Sequence, residues 1–69
     1  MIKEFDTVAL TEDLPGTSLY AGAKGVVVMV YNDREAYEVE FFSSAGKTIA
    51  VETIEAYKLH QINHNELAF

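Results

Sequence analysis

Apolar and polar residues alternate along several short stretches of the chain, and the breaks between them carry turn-forming residues: Pro15-Gly16, Gly22, Gly25, Asn32-Asp33 and Gly46. The alternation is cleanest at Ala36 to Phe42, where Tyr37, Val39 and Phe41 share one face and Glu38 and Glu40 the other. A period of two is that of a half-buried strand. Asp6 to Leu10 likewise puts Val8 and Leu10 together, and Thr48 to Thr53 puts Ile49 and Val51 together. Gly25 to Tyr31 is rich in β-branched residues and apolar on both faces, and Lys58 to Ile62 reads as a short last strand. Thr11 to Lys24 has the composition of a long loop, and Thr53 to Tyr57 is suited to one helical turn. No stretch has the apolar spacing of a helix, and the glycines and the proline fall at or between the ends of the strand segments rather than inside a helix.

Five short strands, a long first loop and one turn before the last strand predict an all-β fold, a small five-stranded barrel of the SH3-like kind. The barrel is expected to span residues 1–62, with 63–69 as a C-terminal tail. Parity then fixes which residues oppose each other, because inward residues must meet inward residues across a hairpin. A loop of Ser43 to Lys47 pairs Phe41 with Ile49 and Val39 with Val51 inside, and Glu38 with Glu52, Glu40 with Ala50 and Phe42 with Thr48 outside. A two-residue turn at Asp33-Arg34 pairs Val28 with Val39 and Val26 with Phe41 inside. Outside it places Val27 beside Glu40, Met29 beside Glu38 and Tyr31 beside Ala36.

The outward face is therefore expected to carry an apolar band, Val27, Met29, Tyr31 and Phe42, beside the carboxylates of Glu38, Glu40 and Glu52. A strand apolar on both faces is normally covered on both. Three covers are open: the tail through Leu67 and Phe69, the curvature of the barrel itself, or another chain, either a copy or a different protein. Glu38 facing Glu52 is expected to cost up to about 1 kcal/mol unless it is compensated, whether by a partner's Lys or Arg, by Lys58 or by solvent.

Charge sharpens this picture. The 69 residues carry 11 acidic and 5 basic side chains, a net charge of -6, and the cations Lys3, Lys24, Arg34, Lys47 and Lys58 are scattered. Such a balance repels phosphate backbones and anionic membranes and favours a basic protein partner. No cysteine is present, so there is no disulfide framework or thiolate site, which suits a reducing cytoplasm. No apolar run approaches the roughly 20 residues that span a bilayer, and an N-terminus that reaches Lys3, Glu4 and Asp6 so early does not read as a signal peptide. A chain of this size buries only about 60% of its unfolded surface, so its stability is marginal without added contacts.

Catalytic chemistry finds little here. Ser18, Ser43 and Ser44 lie in loops with no flanking motif of an activated nucleophile. His60 and His64 could hold a metal with Glu66 only on a helical tail, which Asn63 and Asn65 disfavour. Gly22-Ala23-Lys24-Gly25 enters a strand rather than a helix and is not a phosphate loop; Gly22 and Gly25 are expected to supply backbone freedom at the turn. No enzyme activity, cofactor or metal is expected.

The blocks Phe5-Asp6-Thr7-Val8-Ala9-Leu10, Thr11-Glu12-Asp13-Leu14-Pro15 and Leu19-Tyr20-Ala21-Gly22-Ala23-Lys24-Gly25-Val26-Val27 together resemble a bacterial family of unknown function, numbered 4926. Ala36-Tyr37-Glu38-Val39-Glu40-Phe41 and Gly46-Lys47-Thr48-Ile49-Ala50-Val51 extend the resemblance over roughly residues 1 to 62. It implies an SH3-like barrel and no catalytic residue, and it suggests accessory or antitoxin-like proteins encoded beside small toxins. The expected function is a non-catalytic binding module, an antitoxin or inhibitor that occludes a basic protein through Val27, Met29, Tyr31, Glu38, Glu40, Phe42 and Glu52. A homo-oligomeric assembly domain burying the same face against a copy is the alternative.

Overall fold

The hairpin turns set the frame. In a computed structural model, which describes residues 1–62, five strands form one antiparallel sheet: β1 (Thr7–Leu10), β2 (Lys24–Val30), β3 (Ala36–Phe42), β4 (Thr48–Glu55) and β5 (Leu59–Gln61). Their spatial order is β4-β3-β2-β1-β5. The edges β4 and β5 are joined only by the 3-10 turn Ala56–Lys58. Such a turn rises about 2 Å per residue, whereas the outer strands of a flat five-stranded sheet lie roughly 19 Å apart. The sheet must therefore coil to bring its edges together at that end. The all-β architecture, the long first loop and the single turn before the last strand agree with expectation. β4 runs two residues further than expected and displaces the turn to Ala56. The tail 63–69 lies outside the described residues.

Both turns form where the sequence places them. Asp33 and Arg34 each sit at φ +58°, and Glu35 N–H donates to Asn32 O at 3.3 Å, closing the two-residue hairpin turn. Ser43 N–H donates to Lys47 O at 2.8 Å around the second loop, with Gly46 at φ +82°. Next to the turns the expected pairs are present, Met29 with Glu38 and Phe42 with Thr48. Further along, the register shifts by one residue in both hairpins. β2 bulges between Val27 and Met29, and β4 between the partners of Phe41 and Phe42, so that Val28 and Ile49 are the extra residues.

With a side-chain period of two, one extra residue turns the rest of each strand over. Val27 opposes Val39 rather than Glu40, and Gly25 rather than Val26 opposes Phe41. On β4, Ala50 opposes Phe41, Glu52 opposes Val39, and Ile54 opposes Tyr37. The core contains Val8, Leu10, Leu19, Val27, Tyr37, Val39, Phe41, Ile54 and Leu59. Ile49 and Val51, expected inside, are 53% and 50% exposed. Ala9 is buried along with Val8 and Leu10, so β1 is covered on both faces rather than half-buried.

The first loop is tied down rather than free. Leu19 is buried in the core, Leu14 N–H donates to Leu19 O at 2.9 Å, and Asp13 Oδ1 accepts from Ala21 N–H at 2.8 Å. Gly22 sits at φ +92°, as a turn entering the strand requires. Gly25 serves a different purpose from the one expected. Its φ is not left-handed, but a Cβ there would lie 2.6 Å from Val39 Cγ1 and 2.7 Å from Glu40 O. The missing side chain is what lets β2 lie against the Val39 and Phe41 side chains.

Candidate functional site

The coiled sheet leaves one face of β2, β3 and β4 turned away from the core. Read across the strands, its rows are Phe42 and Thr48, then Val26, Glu40 and Val51, then Met29, Glu38 and Thr53. Tyr31 extends it at the hairpin end, where its N–H donates to Ala36 O at 3.0 Å. Met29, Tyr31 and Phe42 are 47%, 36% and 38% exposed. Glu38 and Glu40 are half-buried on the middle strand.

Five of the seven expected residues meet on this face: Met29, Tyr31, Glu38, Glu40 and Phe42. Val27 does not, because the bulge at Val28 turns it into the core, where it has no exposed surface. Glu52 does not either, because the bulge at Ile49 sends it to the opposite face across from Val39. Val51 takes the outward position instead. The expected repulsion between Glu38 and Glu52 is absent, since Glu38 faces Thr53. The acid is also placed differently: rather than rimming an apolar band, it forms a central column with apolar residues on both flanks.

Hydroxyl groups hold that column. Glu38 Oε1 accepts from Thr53 Oγ1 at 2.6 Å and from Tyr31 Oη at 3.0 Å, so one carboxylate oxygen ties β3 to β4 and to the residue that follows β2. Glu40 Oε2 accepts from Thr48 Oγ1. These donors orient the carboxylates without neutralising them. Among the described residues the one salt bridge is Lys58 Nζ to Glu55 Oε1 at 3.4 Å, and Lys58 also lies 5.7 Å from the Tyr57 ring centroid. Lys58 is thus engaged at the end of β4 rather than with Glu38.

Beside Phe42 the face opens into a pocket of about 420 Å³, lined by Thr7, Lys24, Val26, Phe42 and the Ser43–Ser44 loop among others. Ser43 Oγ accepts from the N–H groups of Ala45 and Lys47 at 3.2 Å each, a loop-shaping role. Among the described residues no three His, Cys, Asp or Glu side chains are grouped to hold a metal ion. The candidate trio with His60 cannot be placed, because His64 and Glu66 lie outside the described residues. No helix among the described residues is long and apolar enough to cross a membrane.

Fold and face together define a small all-β domain whose outward sheet surface carries an oriented acidic column. The chain belongs to the family described as Domain of unknown function (DUF4926), which matches residues 4–61. No curated protein and no solved structure matches it.

Proposed function

We propose that this chain is a non-catalytic protein-binding module of the cytoplasm that takes a basic protein partner on the outer face of β2, β3 and β4, as an inhibitor or antitoxin would. The observation that carries this reading is the pair Glu38 and Glu40, two oriented carboxylates without a cation among the described residues, set between Met29 and Val26 on one side and Val51 on the other. A lysine or arginine combines an aliphatic stem with a charged head. Stems laid over Met29 and Val51 would bring their heads to Glu38 and Glu40, and Tyr31 and Phe42 would serve as aromatic anchors at the two ends. The net charge of -6 would speed encounter with such a partner, and the oriented carboxylates would fix its register. Inhibition on this reading is occlusion of the partner's basic surface.

The test is capture by the immobilised chain. Wild-type protein is expected to retain a basic protein from a lysate of its source cells, with retention falling as salt rises. Glu38→Lys with Glu40→Lys should weaken that retention at least tenfold. Retention and salt dependence unchanged by the double reversal would overturn the proposal.

A further inference from the structure

The long edge strand β4 offers a second surface, distinct from the outer face and independent of the reading above. Two hydrogen bonds set the direction of every backbone group along it. Ala56 N–H donates to Glu35 O at 2.9 Å, and Tyr31 N–H donates to Ala36 O at 3.0 Å. Glu35 therefore faces β4 and Ala36 faces β2, and the alternation continues along β3. On β4 it follows that Ala50, Glu52 and Ile54 turn their N–H and C=O groups to β3. Val51, Thr53 and Glu55 turn theirs to the free edge. Among the described residues no strand pairs with that edge. Between Thr48 and Glu55 it has no lysine and no proline; its blunting features are the bulge at Ile49 and the inward-pointing Glu52, and it exposes Ile49 and Val51.

We propose that β4 pairs antiparallel with β4 of a second copy of this chain, about a two-fold axis at Val51. Three registers centred within Val51 to Thr53 use the free groups, and side-chain charge and packing separate them. An axis at Glu52 sets Glu52 directly against its own copy, a like-charge pair in a sheet. An axis at Thr53 sets Glu55 against Val51 of the copy and adds no cation from the copy to the Lys58 that Glu55 already holds. An axis at Val51 sets Val51 on Val51, Glu52 against Ala50, and Thr53 against the bulged Thr48-Ile49 segment. Because the bulge takes up one residue, Lys47 of one copy then falls alongside the Ile54-Glu55 end of the other. Each Lys47 can reach Glu55 of the copy, twice by symmetry. The inward-pointing Glu52 is thus a register selector: it forbids one alignment and is tolerated opposite Ala50. Copies joined this way extend the two outer faces side by side without covering them.

Sedimentation equilibrium of the full chain across a concentration series tests this. Wild type is expected to show a monomer–dimer equilibrium. Val51→Pro removes an N–H that β3 does not use, so it should weaken the dimer at least tenfold while unfolding stays cooperative; if that variant does not fold, Val51→Lys is expected to weaken the dimer similarly. Lys47→Glu should also weaken it, and Lys47→Glu with Glu55→Lys should restore it. Amide exchange at Val51 and Thr53 should slow as concentration rises. A wild-type chain that stays monomeric to millimolar concentration overturns the proposal. So does a dimer that resists both Val51 substitutions but is lost on Met29→Glu, which would place the contact on the outer face.

Discussion

Gly25 and Phe5 show how much a single backbone position can decide. Gly25 is buried against Val39, Glu40 O and the Phe41 ring, with no room for a methyl group. Gly25→Ala is therefore expected to destabilise the fold by about 2–3 kcal/mol, an overpacking cost, measurable by urea denaturation. Phe5 is the opposite case. Asp6 N–H donates to Lys3 O at 3.0 Å, and Phe5 occupies the third position of that turn at φ +71°, where glycine is normally preferred. Phe5 N–H donates to Val27 O and Val27 N–H donates to Asp6 O, so two β1-side residues oppose one on β2, the bulge that usually takes glycine first. The ring is 72% exposed and contributes little packing to offset the strain. Phe5→Gly is expected to stabilise the chain by about 0.5–1 kcal/mol, the relief of left-handed strain less the extra unfolded-state entropy of glycine. A loss of stability on thermal unfolding would mean that the ring packs in a way its exposure does not show.

At the scale of elements, the hairpins explain both the success and the failure of reading this sheet from its sequence. Alternation placed Tyr37, Val39 and Phe41 inside, and the turn residues fixed Asp33-Arg34 and Ser43 to Lys47 as the reversals; both are properties of a few neighbouring residues. Val28 and Ile49 carry no mark of a bulge. Val26 to Val28 are three identical side chains, so sliding them by one leaves the apolar pattern unchanged. Ile49, Val51 and Ile54 offer β4 two apolar faces from which to choose. The choice fell to Ile54 against Tyr37, which turned Ile49 and Val51 outward. The same substitution at two positions separates the registers. Ile54→Ala is expected to cost about 2–5 kcal/mol, as a buried truncation does, and Ile49→Ala less than about 1 kcal/mol in the same denaturation assay. Equal costs would contradict the bulged register.

For the whole molecule, charge and size act together. A small chain with net charge -6 loses stability to self-repulsion. Each glutamate-to-lysine reversal adds two charges, so the double variant offered as a test of binding moves the net charge from -6 to -2. Against that gain stand the hydroxyl bonds from Tyr31, Thr48 and Thr53, exposed and individually weak. The melting temperature of the double variant is expected to stay within a few degrees of wild type, roughly the effect of 1 kcal/mol or less. A collapse of the fold would assign these carboxylates to stability instead of recognition. Pairing through β4 would also support a core this small, because contacts made only by folded chains raise stability with concentration.

The all-β class, the five strands, both hairpin turns, the inward set on β3, and Met29, Tyr31, Glu38, Glu40 and Phe42 as one outward group are legible in the order of residues alone. These follow from local chemistry: side-chain alternation, β-branching, and turn residues at the reversals. The two bulges arise once the strands pack together, and with them the burial of Val27, the transfer of Glu52 to the inner face, the exposure of Val51 and the central placing of the acidic column. A bulge is settled by which side chains meet across neighbouring strands in the core, here Phe41 against Gly25 and Ile54 beside Tyr37, and no single stretch of sequence contains both partners.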